Sequence, residues 1–141
     1  MLTGKPFDLE IITPEGVEFE GRVESATVPG AMGTFQILYN HAPIISELEI
    51  GVIKFNDSRD DEMVYATSGG FVQVLNNKVS IIVETAEEAG SIDVQRALAA
   101  KKRAEEEMAR RDRLGQQMAR VALERAVNRL RVAGKTQDVQ L

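Results

Sequence analysis

The stretch "SIDVQRALAAKKR", Ser91–Arg103, is where the sequence changes its grammar. It opens a segment without Gly or Pro that runs to Leu114 and is dominated by Ala, Glu, Lys and Arg, all strong helix formers. Ser91 and Asp93 both qualify as the cap of its first turn, because either side chain can accept a bond from an orphan backbone N–H. Val94, Ala97, Leu98, Ala104 and Met108 recur at helical spacing as a narrow, alanine-rich stripe. "RRDRLGQQ", Arg110–Gln117, interrupts that stripe, and Ala119, Ala122, Leu123, Ala126, Val127 and Leu130 resume it on a second helix. Two amphipathic helices around a short break predict an antiparallel hairpin. A stripe made mostly of alanine buries little apolar area at about 25 cal/mol per Å². Weak docking of that kind suits a movable element and a marginal tail equally.

Upstream of Gly90 the period is two. "FDLEIIT" alternates Phe7, Leu9 and Ile11 against Asp8 and Glu10, as a half-buried strand requires. Pro14–Gly16 supplies a turn, after which "VEFEGRV" is expected to place Val17 and Phe19 on one face. Further turn signals stand at Pro29–Gly33, Asn56–Glu62, Ser68–Gly70 and Asn76–Asn77. Short apolar runs separate them, "GVIKF", "FVQVL" and "KVSIIVET" among them. Strands this short at this spacing predict an antiparallel β-sandwich or barrel rather than βαβ units. The fold class is therefore α+β: an N-terminal antiparallel β-sandwich, residues 1–88, followed by a C-terminal two-helix hairpin, residues 89–141.

Composition narrows the function. The chain has 141 residues, no Cys, one His and a net charge of −5. Residues 91–141 hold twelve Lys+Arg against seven Asp+Glu, so the hairpin is near +5 and residues 1–90 near −10. An acidic β part and a basic helical part suggest different partners for the two. No stretch approaches the eighteen apolar residues of a membrane span, and "MLTGKPFDLE" does not read as a signal peptide.

Catalytic chemistry finds no foothold. His41, in "NHAP", has no second His for a metal pair and no nucleophile at motif spacing, and reads as a turn residue. "GAMG" and "SGG" lack the Lys-Ser/Thr of a phosphate-binding loop. "RDDE" is a solvated hairpin tip. A partner protein without catalytic residues or metal is the expectation. A nucleic-acid binder is disfavoured by the acidic front half, by a pI near 5.0 and by the absence of aromatics from the basic part.

"TPEG", "GTFQILYNHAPI", "SGGF", "IDVQRA" and the basic hairpin together resemble the epsilon subunit of F-type ATP synthase, over the whole chain. The resemblance implies a sandwich that grips the gamma rotor subunit and rests on the c-subunit ring, with contacts around Met32, Thr34 and His41. It also implies a hairpin that can fold down or extend towards the alpha and beta subunits of the catalytic head and inhibit hydrolysis. Proton transport and ATP synthesis would belong to the complex, held peripherally on the cytoplasmic face of a bacterial membrane. Many members read Gly-Glu-Phe-Gly-Ile-Leu-Pro-Gly-His-Ala-Pro. Here Thr34 replaces the acid, and Tyr39 and Asn40 replace Pro-Gly. Phe71 is expected in the sandwich or against the rotor.

Several bacterial members bind ATP in the folded-down state through Ile/Leu-Asp-x-x-Arg-Ala and arginines of both helices. By that resemblance the ATP site comprises Glu87, Ile92, Asp93, Arg96, Ala97, Arg103, Arg125 and Arg129, with ATP, alone or with Mg, as a regulatory ligand. Asp93 would accept from the adenine amino group or orient an arginine. The alternatives are arginines that merely pair with Glu105–Glu107 and Glu124, and a structural stalk subunit that binds no nucleotide.

Overall fold

The structure is a computed structural model describing residues 4–57, 59–110 and 112–137, the last three without their side chains. Ser58, in the expected Asn56–Glu62 turn, and Arg111, in the expected helix break, lie outside the described residues. The chain divides into two compact units, residues 1–88 and 89–141.

The first unit is built from ten strands: β1 (Phe7–Thr13), β2 (Gly16–Val23), β3 (Ala26–Gly30), β4 (Gly33–Ile37), β5 (Ile44–Leu48), β6 (Gly51–Asn56), β7 (Glu62–Thr67), β8 (Gly70–Leu75), β9 (Lys78–Val83) and β10 (Ala86–Glu88). They form one continuous, sandwich-like sheet in the order β10-β7-β6-β3-β5-β8-β9-β1-β2, and β4 pairs with β3 off that path. Every pairing is antiparallel except β1 with β9. The alternation read from "FDLEIIT" is real: Phe7, Leu9 and Ile11 are buried. They join Ile37, Ile53, Phe55, Val72 and Ile81 in a single core. Phe55 anchors it, with the Phe19 ring 4.4 Å away and Tyr65 stacked at 5.7 Å.

Val17 and Phe19 part company. Ile11 faces Phe19 but Ile12 faces Val17, so a bulge shifts the register between them. A bulge turns side chains two apart onto different faces, which leaves Val17 59% exposed while Phe19 packs on the core. Gly69 (φ 104) makes the turn before β8 in a region closed to most residues. At Gly70 a Cβ would collide with the Ile82 carbonyl. The "SGG" sequence thus lets β8 lie close on β9.

The second unit begins with a 3-10 turn (Ala89–Ser91) and continues as α1 (Val94–Arg110) and α2 (Arg113–Gln137). The break between the helices is shorter than "RRDRLGQQ" suggested. Asp112 Oδ1 accepts from the Gly115 N–H at 2.9 Å and caps α2 at once, so Gly115 lies within the helix. α2 packs along α1 and reaches back to the 3-10 turn, which makes the pair antiparallel. Ala97 and Ala104 are buried on α1, and Ala119, Ala126, Leu130 and Ala133 on α2. Leu98 and Ala122, expected in the stripe, are exposed, one at each margin of this seam.

Candidate functional site

The arginine pattern becomes geometry once the seam is known. Arg96 and Arg103 each precede a buried alanine, Ala97 and Ala104. Arg125 precedes buried Ala126, and Arg129 precedes buried Leu130. In two antiparallel helices, the residues preceding the contact positions fall on the same side of the pair, because one helix winds towards a viewer and the other away. All four arginines therefore line one flank of the hairpin. The axial level follows from Gln116, whose Nε2 donates to Met108 O at 3.2 Å. Counting outward from that contact sets Arg96 level with residue 128, between Arg125 and Arg129, which are themselves roughly 6 Å apart along the axis. Arg103 lies roughly 10 Å further towards the break.

Arg96, Arg103 and Arg125 are exposed and Arg129 is half-buried. The first three make no ion pair with Glu105–Glu107 or Glu124 among the described residues. A flank of forked guanidiniums is suited to phosphate oxygens, each of which can take a bidentate, charge-assisted bond.

Asp93, and not Ser91, caps α1: its Oδ1 accepts from the Arg96 N–H at 3.0 Å. Ile92 and Ala97 are buried. Glu87 lies half-buried in β10 opposite Ala66, in the first unit. The hairpin thus brings Arg96, Arg125 and Arg129 together with Asp93 close in sequence, while Glu87 belongs to the other unit.

The residues expected to face the c ring occupy the β3–β4 hairpin and the loop after it. Met32 stands fully exposed at the hairpin tip, and Thr34 is exposed on β4 opposite Pro29. The loop folds back so that the His41 ring comes within 6.4 Å of Phe35. Its Nδ1 donates to Ala42 O at 2.8 Å, and its backbone N–H donates to Leu38 O. Asn40 takes a left-handed φ of 62°, which asparagine tolerates better than most residues. Its N–H donates to Asn77 Oδ1 at 2.6 Å, and Asn77 Nδ2 returns a bond to Asn40 Oδ1 at 3.1 Å. His41 is thus a turn residue with its ring turned towards the β4 strand.

The sandwich carries a surface the sequence did not reveal. Strand register aligns Glu47, Phe71, Ile82, Ile12 and Val17 in one outward row across β5, β8, β9, β1 and β2. Phe71 is 55% exposed, which removes the first of its two expected places, the sandwich core: β8 turns Val72 and Val74 inward instead. Ile82 is 50% exposed. A parallel row, Ile45, Gln73, Ser80, Glu10 and Glu20, flanks it. There Ser80 Oγ donates to Glu10 Oε2 at 2.7 Å, and Lys78 Nζ approaches the same oxygen at 3.7 Å. The signal available in sequence was the pairs Ile11-Ile12 and Ile81-Ile82, since adjacent apolar residues in a strand cannot both face one core.

Among the described residues no group of three or more His, Cys, Asp or Glu could hold a metal ion, and no helix is long and apolar enough to cross a membrane.

Comparison with known proteins agrees with this architecture. The family described as "ATP synthase, Delta/Epsilon chain, beta-sandwich domain" matches residues 6–89, and "ATP synthase, Delta/Epsilon chain, long alpha-helix domain" matches residues 91–134. The "ATP synthase epsilon chain" of Desulfitobacterium hafniense (strain Y51) is 45% identical over 127 residues, covering 90% of this chain and 96% of the relative. That of Bacillus pumilus (strain SAFR-032) is 40% identical over 131 residues, covering 93% and 99%. Among solved structures, a chain of the Euglena gracilis mitochondrial ATP synthase, OSCP/F1/c-ring in rotational state 1, superposes with a TM-score of 0.75 at 20% identity, over 88% of this chain and 81% of that one. A chain of the Tetrahymena thermophila mitochondrial ATP synthase central stalk/c-ring gives 0.61 at 15% identity, over 94% and 99%. At those identities the two structures speak to fold alone. With both halves matched in order and bacterial relatives aligned over nearly their full length, the chain belongs to the ATP synthase delta/epsilon family, as an epsilon chain of the central stalk that is not itself an enzyme.

Proposed function

We propose that the sandwich couples rotor to ring and that the hairpin restrains ATP hydrolysis, with ATP favouring its compact form. The observation that carries the nucleotide reading is the common flank and common level of Arg96, Arg125 and Arg129. An anion's oxygens can accept from guanidiniums of both helices at once only while the hairpin is closed. Opening the hairpin separates Arg96 from Arg125 and Arg129, so the nucleotide binds the closed form better, which is the condition for a ligand to bias a two-state element. At a hundred times its dissociation constant, ATP would stabilise the closed form by about 2.7 kcal/mol. Ile92, Asp93, Ala97 and Arg103 complete the proposed site, and Mg accompanies the phosphates.

The mechanical half rests on two surfaces. The row Phe71, Ile82, Ile12 and Val17 is an apolar strip bordered by Glu47, Glu10 and Glu20, suited to an apolar face with basic margins on the gamma subunit. Met32, Thr34 and His41 would meet the polar loops of the c ring, with Thr34 offering a hydrogen bond where an acid would offer a charge. When open, the hairpin presents Arg110, Arg113 and exposed Leu114 and Met118 to acidic segments of the alpha and beta subunits. The complex would lie on the cytoplasmic face of a bacterial membrane, where its ring transports protons.

Calorimetric titration of the full chain with Mg-ATP and with ADP tests the nucleotide reading. Stoichiometric heat with ATP, weaker with ADP, supports it. No heat at millimolar ATP would leave a structural stalk subunit. Hydrolysis by a complex carrying residues 1–90 tests restraint: release of activity is expected, and unchanged hydrolysis would remove the hairpin from regulation.

A further inference from the structure

Two tight turns of the sandwich carry asparagine where local turn chemistry favours glycine. The first is Leu38–His41, between β4 and β5, closed by the His41 N–H on Leu38 O at 3.1 Å. Asn40, its third residue, has a φ of 62°, while Tyr39 before it stays out of the left-handed region. That is the type II pattern, which favours proline at the second position and glycine at the third. The second turn joins β8 to β9 through Asn76 and Asn77, with φ of 50° and 60°. Two left-handed residues make the type I′ pattern, in which glycine is preferred at the second. Asparagine tolerates this backbone region but glycine enters it freely. Neither turn, taken alone, calls for Asn40 or Asn77.

Their mutual contact does. The Asn40 N–H donates to Asn77 Oδ1 at 2.6 Å, and Asn77 Nδ2 donates to Asn40 Oδ1 at 3.1 Å. The two residues lie 37 positions apart in the chain, and glycine at position 77 could form neither bond. Asn77 is itself fastened from another side, since its carbonyl accepts from the Asp8 N–H of β1 at 3.0 Å. The Lys5 ammonium, 5.5 Å from the centre of the Tyr39 ring, adds a weaker tie to the same turn. Leu38, Tyr39, Asn40 and Ala42 are all exposed, so apolar burial does little to hold this loop.

We propose that Asn77 is a positioning residue for the loop Leu38–Ala42: through Asn40 it holds the turn that places His41, and so shapes this part of the sandwich surface. That the shape serves the c ring rests on the reading above, in which Met32, Thr34 and His41 meet the ring. The clasp between the two asparagines stands without it.

Amide hydrogen exchange on the full chain separates this role from that of an ordinary turn residue. Asn77→Gly gives the β8–β9 turn the residue it prefers and removes both side-chain bonds. Protection of the Asn40 and His41 amides should fall about three- to tenfold, the worth of one hydrogen bond. The Asp8 amide should not change, because its acceptor is a backbone carbonyl that the variant keeps. Asn40→Gly retains the N–H donor and suits a positive φ, so His41 protection should stay within about twofold of the parent. Adding Tyr39→Pro and Asn40→Gly to Asn77→Gly supplies the pair a type II turn favours, and should return His41 protection to within about twofold. Unchanged protection of Asn40 and His41 in Asn77→Gly would overturn the proposal. So would a triple variant in which His41 stays unprotected, since the loss would then lie in the β8–β9 turn itself. The second readout is capture of a purified c ring by the chain bound to gamma. Weaker capture in Asn77→Gly, regained in the triple variant, is expected. Lost protection with unchanged capture would remove this loop from the ring contact and leave the clasp in place.

Discussion

Phe7, Leu9, Ile11, Ile37, Ile53, Phe55 and Ile81 fill the sandwich, whereas the helical unit buries chiefly Ala97, Ala104, Ala119, Ala126 and Ala133, with Ile92, Leu130 and Val132 as its larger apolar residues. A branched or aromatic side chain contributes about 1.5–3 kcal/mol when fully buried, and an alanine methyl about 0.8 kcal/mol or less. The two units differ in material more than in order. The first has enough buried area to hold its shape as a platform. The second brings its helices close through small residues and gains little by doing so, so modest interactions at its surface can decide whether it stays closed. That contrast suits the roles we propose, a rigid platform and a hairpin able to open.

The largest effect tests the platform. Phe55→Ala, in the chain ending at Gly90, should lower the unfolding free energy by about 3–5 kcal/mol in urea denaturation, because the cavity would lie between Phe19 and Tyr65. A loss under 1 kcal/mol would mean the strands are not held by one core, and the contrast between the units would collapse.

The next effect belongs to the hairpin flank. Arg125→Ala or Arg129→Ala should each weaken Mg-ATP binding by about ten- to a hundredfold, the worth of one charge-assisted bond. Arg120 follows Ala119 in the seam instead of preceding it, which puts it on the opposite flank. Arg120→Ala should therefore change little, and an equal loss would point to diffuse attraction by a positive surface.

Phe71→Ala sharpens the comparison from the outside of the platform. Because Phe71 is 55% exposed, its removal should cost no more than about 0.5 kcal/mol of stability while weakening capture of gamma in a pull-down. Unchanged capture would remove the apolar row from that role.

The smallest effect depends on pH. Burial, with the carboxylates of Glu88 and Glu18 adding to it, raises the Tyr65 phenol above its ordinary value, near 10. The folded chain keeps that proton to higher pH than the unfolded one. Stability from this source is therefore constant below about pH 10 and declines as pH rises above it. Urea denaturation of Tyr65→Phe on either side of pH 10 should show a flatter alkaline decline than the parent. Identical slopes would mean the phenol titrates alike in both states.

The sequence by itself determined the two periods, and with them the β front, the helical back and the site of the change near Gly90, because strand and helix burial repeat at different intervals. It also supplied the spacing of Arg96, Arg103, Arg125 and Arg129 and the family resemblance. Three things were decided only by tertiary structure. Register across β5, β8, β9, β1 and β2 aligned Phe71, Ile82, Ile12 and Val17 on the outside; periodicity along one strand says which residues share a face but not which face is covered. The bulge that separates Val17 from Phe19 needed a partner strand to exist at all. Asp93 was chosen over Ser91 as the cap by where the first turn of α1 closes, and the common side of the four arginines follows from the antiparallel seam. Each depends on contacts between segments far apart in the chain, which local spacing does not encode.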